Sequence, residues 1–141
     1  MRQYQAKLSG PLLDRFDLGI EVPAVDPVDL SCAAAGEASA DVRDRVYAAR
    51  QRQRSRFGPD GPASNARMGR AELERHAALS QRPTRLLVEA CGRLGLTARA
   101  YDRVRRVART LADLESSEAI LERHVAEAVQ YRRVDRATGA A

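Results

Sequence analysis

The chain has 141 residues, 44% of them apolar and 30% charged, with a formal net charge of +5. That composition suits one globular domain, or one small domain with an appendage. No stretch approaches the ~20 apolar residues of a membrane helix, and the opening MRQYQAKLSG lacks the apolar segment of a signal peptide, so the expectation is a cytoplasmic protein with no membrane partner. Aromatics are only 4% and Trp is absent, which leaves a core of Leu, Val and Ala. Cys32 and Cys91 are the only cysteines and show no zinc spacing; they read as reduced thiols. Residues 1–38 carry net charge −3 and the remainder +8, and Lys7 is the only lysine among 24 basic residues. A basic, arginine-rich body reads either as a surface that meets phosphate or as a solvated Arg/Asp/Glu surface.

In chain order, Leu18, Ile20 and Val22 alternate with Gly19 and Glu21, which predicts a strand over 17–22. Pro23 and Pro27 end it, and AVDPVDLSCAAAGEAS reads as a linker. A single strand needs a neighbour for its backbone groups, so the first 24 residues resemble the edge of a sheet whose other strands are absent. After residue 38 the pattern is helical. Ser39 is placed to cap a helix to about Arg56, with Val42, Val46, Ala49 and Gln53 on one face and Phe57 at its end. Gly58, Pro59, Gly61 and Pro62 break it. Further helices are predicted over 70–78 and 83–94, the latter with Pro83 in its first turn and Gly95 as its stop. Thr97 caps a helix to about Leu114, and Ser117 a last one to about Val134. The fold class expected is all-α, a compact bundle of five helices preceded by an orphan strand and linker.

At about 100° per residue, Tyr101, Val104, Val107, Ala108, Leu111 and Leu114 share one arc of the 97–114 helix, which is expected to pack inward. Arg99, Arg103 and Arg106 follow at i, i+4 and i+7 on the opposite side. Such a row either grips phosphates or is a solvated face. The chemistry of an independent enzyme is missing. There is no GxxxxGK[ST] loop, no strand ending in paired acids for Mg²⁺, no HExxH and no Cys/His cluster. His76 and His124 stand isolated and read as surface or boundary residues, and Ser9 has no paired base. This chain alone is expected to catalyse nothing and to hold no metal.

YQAKLSGPLLDRFDLGIEVP, residues 4–23, resembles the segment that follows the sensor-1 strand in magnesium-chelatase-like AAA+ ATPases. GEASADVRDRVYAARQRQRSRFG, NARM at 65–68, LGLTARAYDRVRRVARTLADLE and HVAEAVQYRRVDR follow in the family's order, and the blocks are most similar to its ComM/YifB-like branch. Thr97 stands where the family often has serine, a change that keeps the helix cap. The resemblance implies the C-terminal end of a larger protein, with phosphate-binding loop, metal-binding acids and sensor 1 upstream of Met1. It implies that residues 1–24 are the edge of the ATPase core, 25–38 a linker and 39–141 the helical lid. ATP and Mg²⁺ are then cofactors of the full-length protein, and its partners are its own upstream core and neighbouring subunits of a hexameric ring.

Two site residues carry over position by position. Arg15, in LLDR, matches the arginine finger, which reaches the γ-phosphate held by a neighbouring subunit. Arg99, in LTAR, matches the sensor-2 arginine in the first turn of the lid helix, and is expected on a well-formed helix. The ComM-like branch implies DNA remodelling by branch migration; the chelatase branch implies Mg²⁺ insertion into a porphyrin. Two further readings stand beside these. One is a helical DNA-binding module using Arg99, Arg103 and Arg106 against the backbone, and the other is a scaffold for subunit contacts.

Overall fold

A computed structural model describes residues 16–25 and 36–133. Arg15, Cys32, most of the expected 25–38 linker and the expected helix end at Val134 lie outside the described residues.

Helix α1, Ser39–Phe57, begins with Ala38 as its N-cap, so Ser39 is the first helical residue and not the cap. The start is held from outside by a fork between the Arg45 guanidinium and both oxygens of Glu37, a pairing that pulls the Glu37 carboxyl below its usual value. The helix stops at Gly58, whose φ of 69° a side chain would resist. Only Ala49 and Gln53 of its expected inward face are buried, whereas Val42 and Val46 remain 37% and 45% exposed. The helix therefore joins the bundle from Ala49 onward.

A 3-10 turn over Asn65–Arg67 follows, which sequence patterning does not announce. Helix α2 spans Arg70–His76 and ends two residues earlier than expected. Its last carbonyls are taken by one side chain: Arg105 donates from Nη2 to Leu73 O at 2.9 Å and from Nε to Ala77 O at 3.1 Å. Leu73 O also accepts the Ala77 N–H at 2.9 Å, so Arg105 adds a second donor there and places a cation at the negative end of the helix dipole.

Helix α3, Gln81–Leu94, starts two residues before Pro83, which still sits in the first turn where its missing N–H has no intrahelical partner. Gly95 takes the left-handed stop as expected, and the Leu96 N–H closes back on Cys91 O at 3.0 Å. Helix α4, Ala98–Leu114, has the expected cap: Thr97 Oγ1 accepts from the Ala100 N–H at 3.2 Å.

The end of α4 explains the largest boundary error. Ser116 adopts a φ of 62°, its N–H reaches Asp113 O at 3.2 Å and the Ser117 N–H reaches Ala112 O at 2.8 Å. These bonds make a Schellman stop with serine where glycine is usual. Ser117 thus closes one helix instead of opening the next, and its hydroxyl donates to Ala119 O. Helix α5 begins only at Glu122 and is described to Arg133.

Helix α4 is the centre of the bundle, packing on α5, α1, the 3-10 turn and α2, while α3 packs on α5. The core is aliphatic as the composition requires: Met68, Leu73, Leu87, Val104, Ala108, Ala112, Ile120, Val125 and Ala128 are buried together. The buried stripe of α4 is rotated from the expected arc. It runs through Ala100, Val104, Ala108 and Ala112 and takes in Arg105, Arg109 and Asp113, leaving Tyr101, Val107, Leu111 and Leu114 half-buried. Residues 17–22 form no strand; no described residue offers a neighbouring strand, and the segment instead lies extended against α4 and α5.

Candidate functional site

The three arginines expected in one exposed row have separate environments. Arg99, the second residue of α4, is exposed and has no side-chain ion pair or hydrogen bond among the described residues. Arg103, one turn further on, is half-buried and its Nη1 lies 2.9 Å from Asp17 Oδ1. Arg106 donates from Nε and Nη2 to the Met68 carbonyl, at 3.1 and 2.8 Å. The expectation of three free guanidinium groups on one face is corrected: Arg106 fastens the 3-10 turn to the helix, and Arg103 fastens the extended segment. Arg15 lies outside the described residues.

Sequence reading missed a second group of arginines, those that are buried. Asp113 is fully buried and receives both Arg56 and Arg109. Arg56 Nη1 donates to Asp113 Oδ2 at 2.8 Å, its Nη2 donates to Oδ1, and Arg109 Nη2 lies 3.2 Å from Oδ1. Asn65 joins through Nδ2, which donates to Asp113 Oδ2 at 2.8 Å and to Thr110 Oγ1 at 3.1 Å. Arg109 also reaches over the Schellman stop, with Nη1 and Nη2 each donating at 2.6 Å to Glu118 O and Ser117 O. Burial lowers the Arg109 pKa, against the opposing pull of Asp113. The signal was present in the sequence as Arg105, Arg109 and Asp113 spaced by four, on the edge of the apolar stripe.

His124 is also buried, not a surface or boundary residue. It is the third residue of α5, and its Nδ1 accepts from the Leu121 N–H at 3.0 Å, the reciprocal half of a capping box. That bond leaves the proton on Nε2, which faces Glu115 Oε2 at 2.9 Å. Arg123 Nε donates to the same oxygen at 2.8 Å. His124 first, and then Arg123, hold the Glu115 carboxyl below its usual range. A depressed carboxylate contributes stability that is complete above its unfolded pKa and is lost as pH falls through the folded one. Glu115→Gln is therefore expected to lower the urea midpoint at pH 7, with the gap to wild type closing as pH drops below about 4. A gap that stays constant from pH 7 to pH 3 would refute the assignment.

Chemically, the site offers one free guanidinium at a helix start, supported by a rigid helix. Arg99 fits a single phosphate contact. Among the described residues no group of three or more His, Cys, Asp or Glu side chains is gathered as a metal site would need. Burial pushes up the Cys91 thiol, the opposite of a reactive cysteine. No helix among the described residues is long and apolar enough to cross a membrane.

Residues 36–132 match the family model described as magnesium chelatase, subunit ChlI C-terminal, and residues 1–30 match the model for magnesium chelatase, subunit ChlI. The chain is 43% identical over 135 residues to the uncharacterized protein YifB of Salmonella typhimurium, and 42% identical over 135 residues to the competence protein ComM of Haemophilus influenzae. Each alignment covers 95% of this chain and 26% of the relative. An uncharacterized protein of Mycobacterium bovis is 38% identical over 132 residues, with 94% of this chain and 26% of the relative covered. The chain thus spans about a quarter of the length of the curated relatives it matches. With the helical body coinciding with the first of these family models, the chain belongs to the magnesium chelatase ChlI C-terminal family.

Proposed function

We propose that this chain is the helical lid of a magnesium-chelatase-like AAA+ ATPase, with Arg99 as its sensor-2 arginine and Arg15 as its arginine finger. In this reading residues 39–141 form the lid, 1–24 the edge of the ATPase core and 25–38 the connection. The observation that carries it is the isolation of Arg99. Its neighbours Arg103, Arg105, Arg106 and Arg109 are all engaged within the fold, whereas Arg99 stands exposed and unpaired in the first turn. Guanidinium is planar, always charged and forks onto phosphate oxygens. At the positive end of the α4 dipole, an anion is further favoured. The full-length protein would hydrolyse ATP with Mg²⁺ in a hexameric ring and work as a DNA-remodelling motor, by its resemblance to the ComM/YifB-like branch. The DNA-module reading is weakened, because two of its three proposed backbone contacts are already spent inside the fold.

The test is ATP turnover by the full-length protein carrying Arg99→Ala, with and without branched DNA. One charged hydrogen bond is worth about 1.5–3 kcal/mol, so kcat/KM for ATP is expected to fall roughly 10- to 100-fold. Unchanged turnover and ATP affinity would rule out the sensor-2 role.

A further inference from the structure

Helix α1 presents one face that the fold does not use. Every residue from Ser39 to Ala48 is exposed. At about 100° per residue, Arg43, Tyr47, Arg50 and Arg54 follow at i, i+4, i+7 and i+11 and share one arc. That arc lies about a third of a turn away from Ala49 and Gln53, the residues that α1 buries. All four members are exposed, and the Tyr47 ring stands 61% in water. Arg54 has no side-chain ion pair or hydrogen bond among the described residues. Arg50 reaches Gln53 Oε1 only at 3.5 Å, the weak limit of such a bond. Arg43 meets Asp44, at the border of the arc, at 3.3 Å with both side chains open to solvent, a pair that holds little. Arginines that serve this fold look different: Arg56, Arg105, Arg106 and Arg109 each hold a carboxylate or a carbonyl. Beside Arg50 the arc meets a groove of about 250 Å³, whose walls include Val46, Gln53, Ser64 and Ala66.

We propose that this face of α1 binds an unpaired strand of nucleic acid, with Arg43, Arg50 and Arg54 on its phosphates and Tyr47 stacked on a base. Three guanidinium groups spread over about 16 Å of helix complement a polyanion, and each forks onto phosphate oxygens. The aromatic ring decides which polyanion. An unpaired base of any sequence offers a π-face, so a tyrosine set among arginines is a stacking platform for single strands. A duplex keeps its bases stacked inside and leaves the ring idle, and so does an acidic protein surface. The face is also presented rigidly, because Arg56 ties the end of α1 to buried Asp113, so little ordering is lost on binding. The proposal goes beyond the lid reading and does not need it: neither Arg99 nor Arg15 takes part. It moves the nucleic-acid contact from the α4 row, where Arg103 and Arg106 are engaged, to the helix whose arginines are free.

The test is fluorescence anisotropy of a labelled oligothymidylate of about 20 nucleotides with this 141-residue chain. Three neutralised phosphates predict a slope of about −2 for log affinity against log salt, hence a loss of roughly 20-fold between about 50 and 200 mM NaCl. Arg50→Gln with Arg54→Gln is expected to weaken binding about tenfold or more at the lower salt and to flatten the slope to about −0.7. Tyr47→Ala and Tyr47→Leu should each lower the affinity about five- to a hundredfold, and Tyr47→Phe should keep it. A duplex of the same length should bind with no dependence on Tyr47. All these side chains are exposed, so circular dichroism should show the same helix content throughout. Arg82→Gln with Arg85→Gln, exposed on α3, should leave binding unchanged. The proposal is overturned if the wild-type chain binds no oligothymidylate at about 50 mM NaCl, or if the α3 pair costs as much as the α1 pair. Binding that needs the α1 arginines but ignores Tyr47→Ala also overturns it, since the contact is then general electrostatics. So does self-association of the chain that the same α1 variants abolish, which would give the face to a second copy.

Discussion

Asp113→Ala is expected to be the most destabilising single substitution in the described body. Asp113 is fully buried, and it is the anion shared by Arg56 and Arg109, whose side chains are only 17% and 5% exposed. Truncation leaves two guanidinium groups facing each other around a void, and takes an acceptor from Asn65 Nδ2. Arg109 is the group most exposed to this loss. Burial already works against its charge, and Asp113 is the main opposing influence. Removing one partner of a buried ion pair costs about 3–5 kcal/mol, which for a body of this size is a fall in Tm of roughly 15–30 °C. The effect should spread along the chain, because the network joins α1, the 3-10 turn, α4 and the loop before α5. Thermal unfolding followed by circular dichroism checks it. Replacing Arg56, Arg109 and Asp113 together by apolar residues should be far milder than Asp113→Ala, since no charge is then left unpaired. A fall of less than about 5 °C for Asp113→Ala would show that water relieves the two arginines.

The pattern of success in reading this sequence follows from what each signal depends on. Thr97, Gly95 and the helices around them were legible because capping is local: a hydroxyl or a missing Cβ acts within four residues. The start of α5 was not legible. Ser117 has the chemistry of an N-cap, but Arg109 and the stop at Ser116 claim it for the preceding turn. The interior arginines were hidden for a related reason. Composition treats arginine as a surface residue, and only the path of the backbone shows that Arg105 and Arg106 have carbonyls to hold. The same applies to the α1 stripe, where Val42 and Val46 continue a helical period that the bundle does not cover. For the candidate site, the position of Arg99 on a helix start was readable from LTAR. That it alone of its row is free was not, because the partners of Arg103 and Arg106 lie 86 and 38 residues away in sequence.

If Arg15 is the arginine finger proposed above, Arg15→Ala in the full-length protein is expected to abolish ATP hydrolysis while leaving ATP binding and ring assembly intact. An arginine finger touches the γ-phosphate oxygens as charge develops in the transition state, and its removal costs about 10³–10⁵ in rate. Ground-state binding relies on the nucleotide's own subunit, so the affinity for ATP should change little. The decisive form of the experiment is mixing. A subunit with Arg15→Ala keeps its own nucleotide pocket, and a subunit unable to bind ATP through its upstream core keeps its finger. Each homogeneous ring should be inactive. If the finger serves the neighbour, mixed rings regain turnover, because some interfaces pair an intact pocket with an intact Arg15. If Arg15 acted only within its own subunit, no mixture could place both in one site, and activity would stay at background. Normal hydrolysis by Arg15→Ala alone would remove the finger assignment.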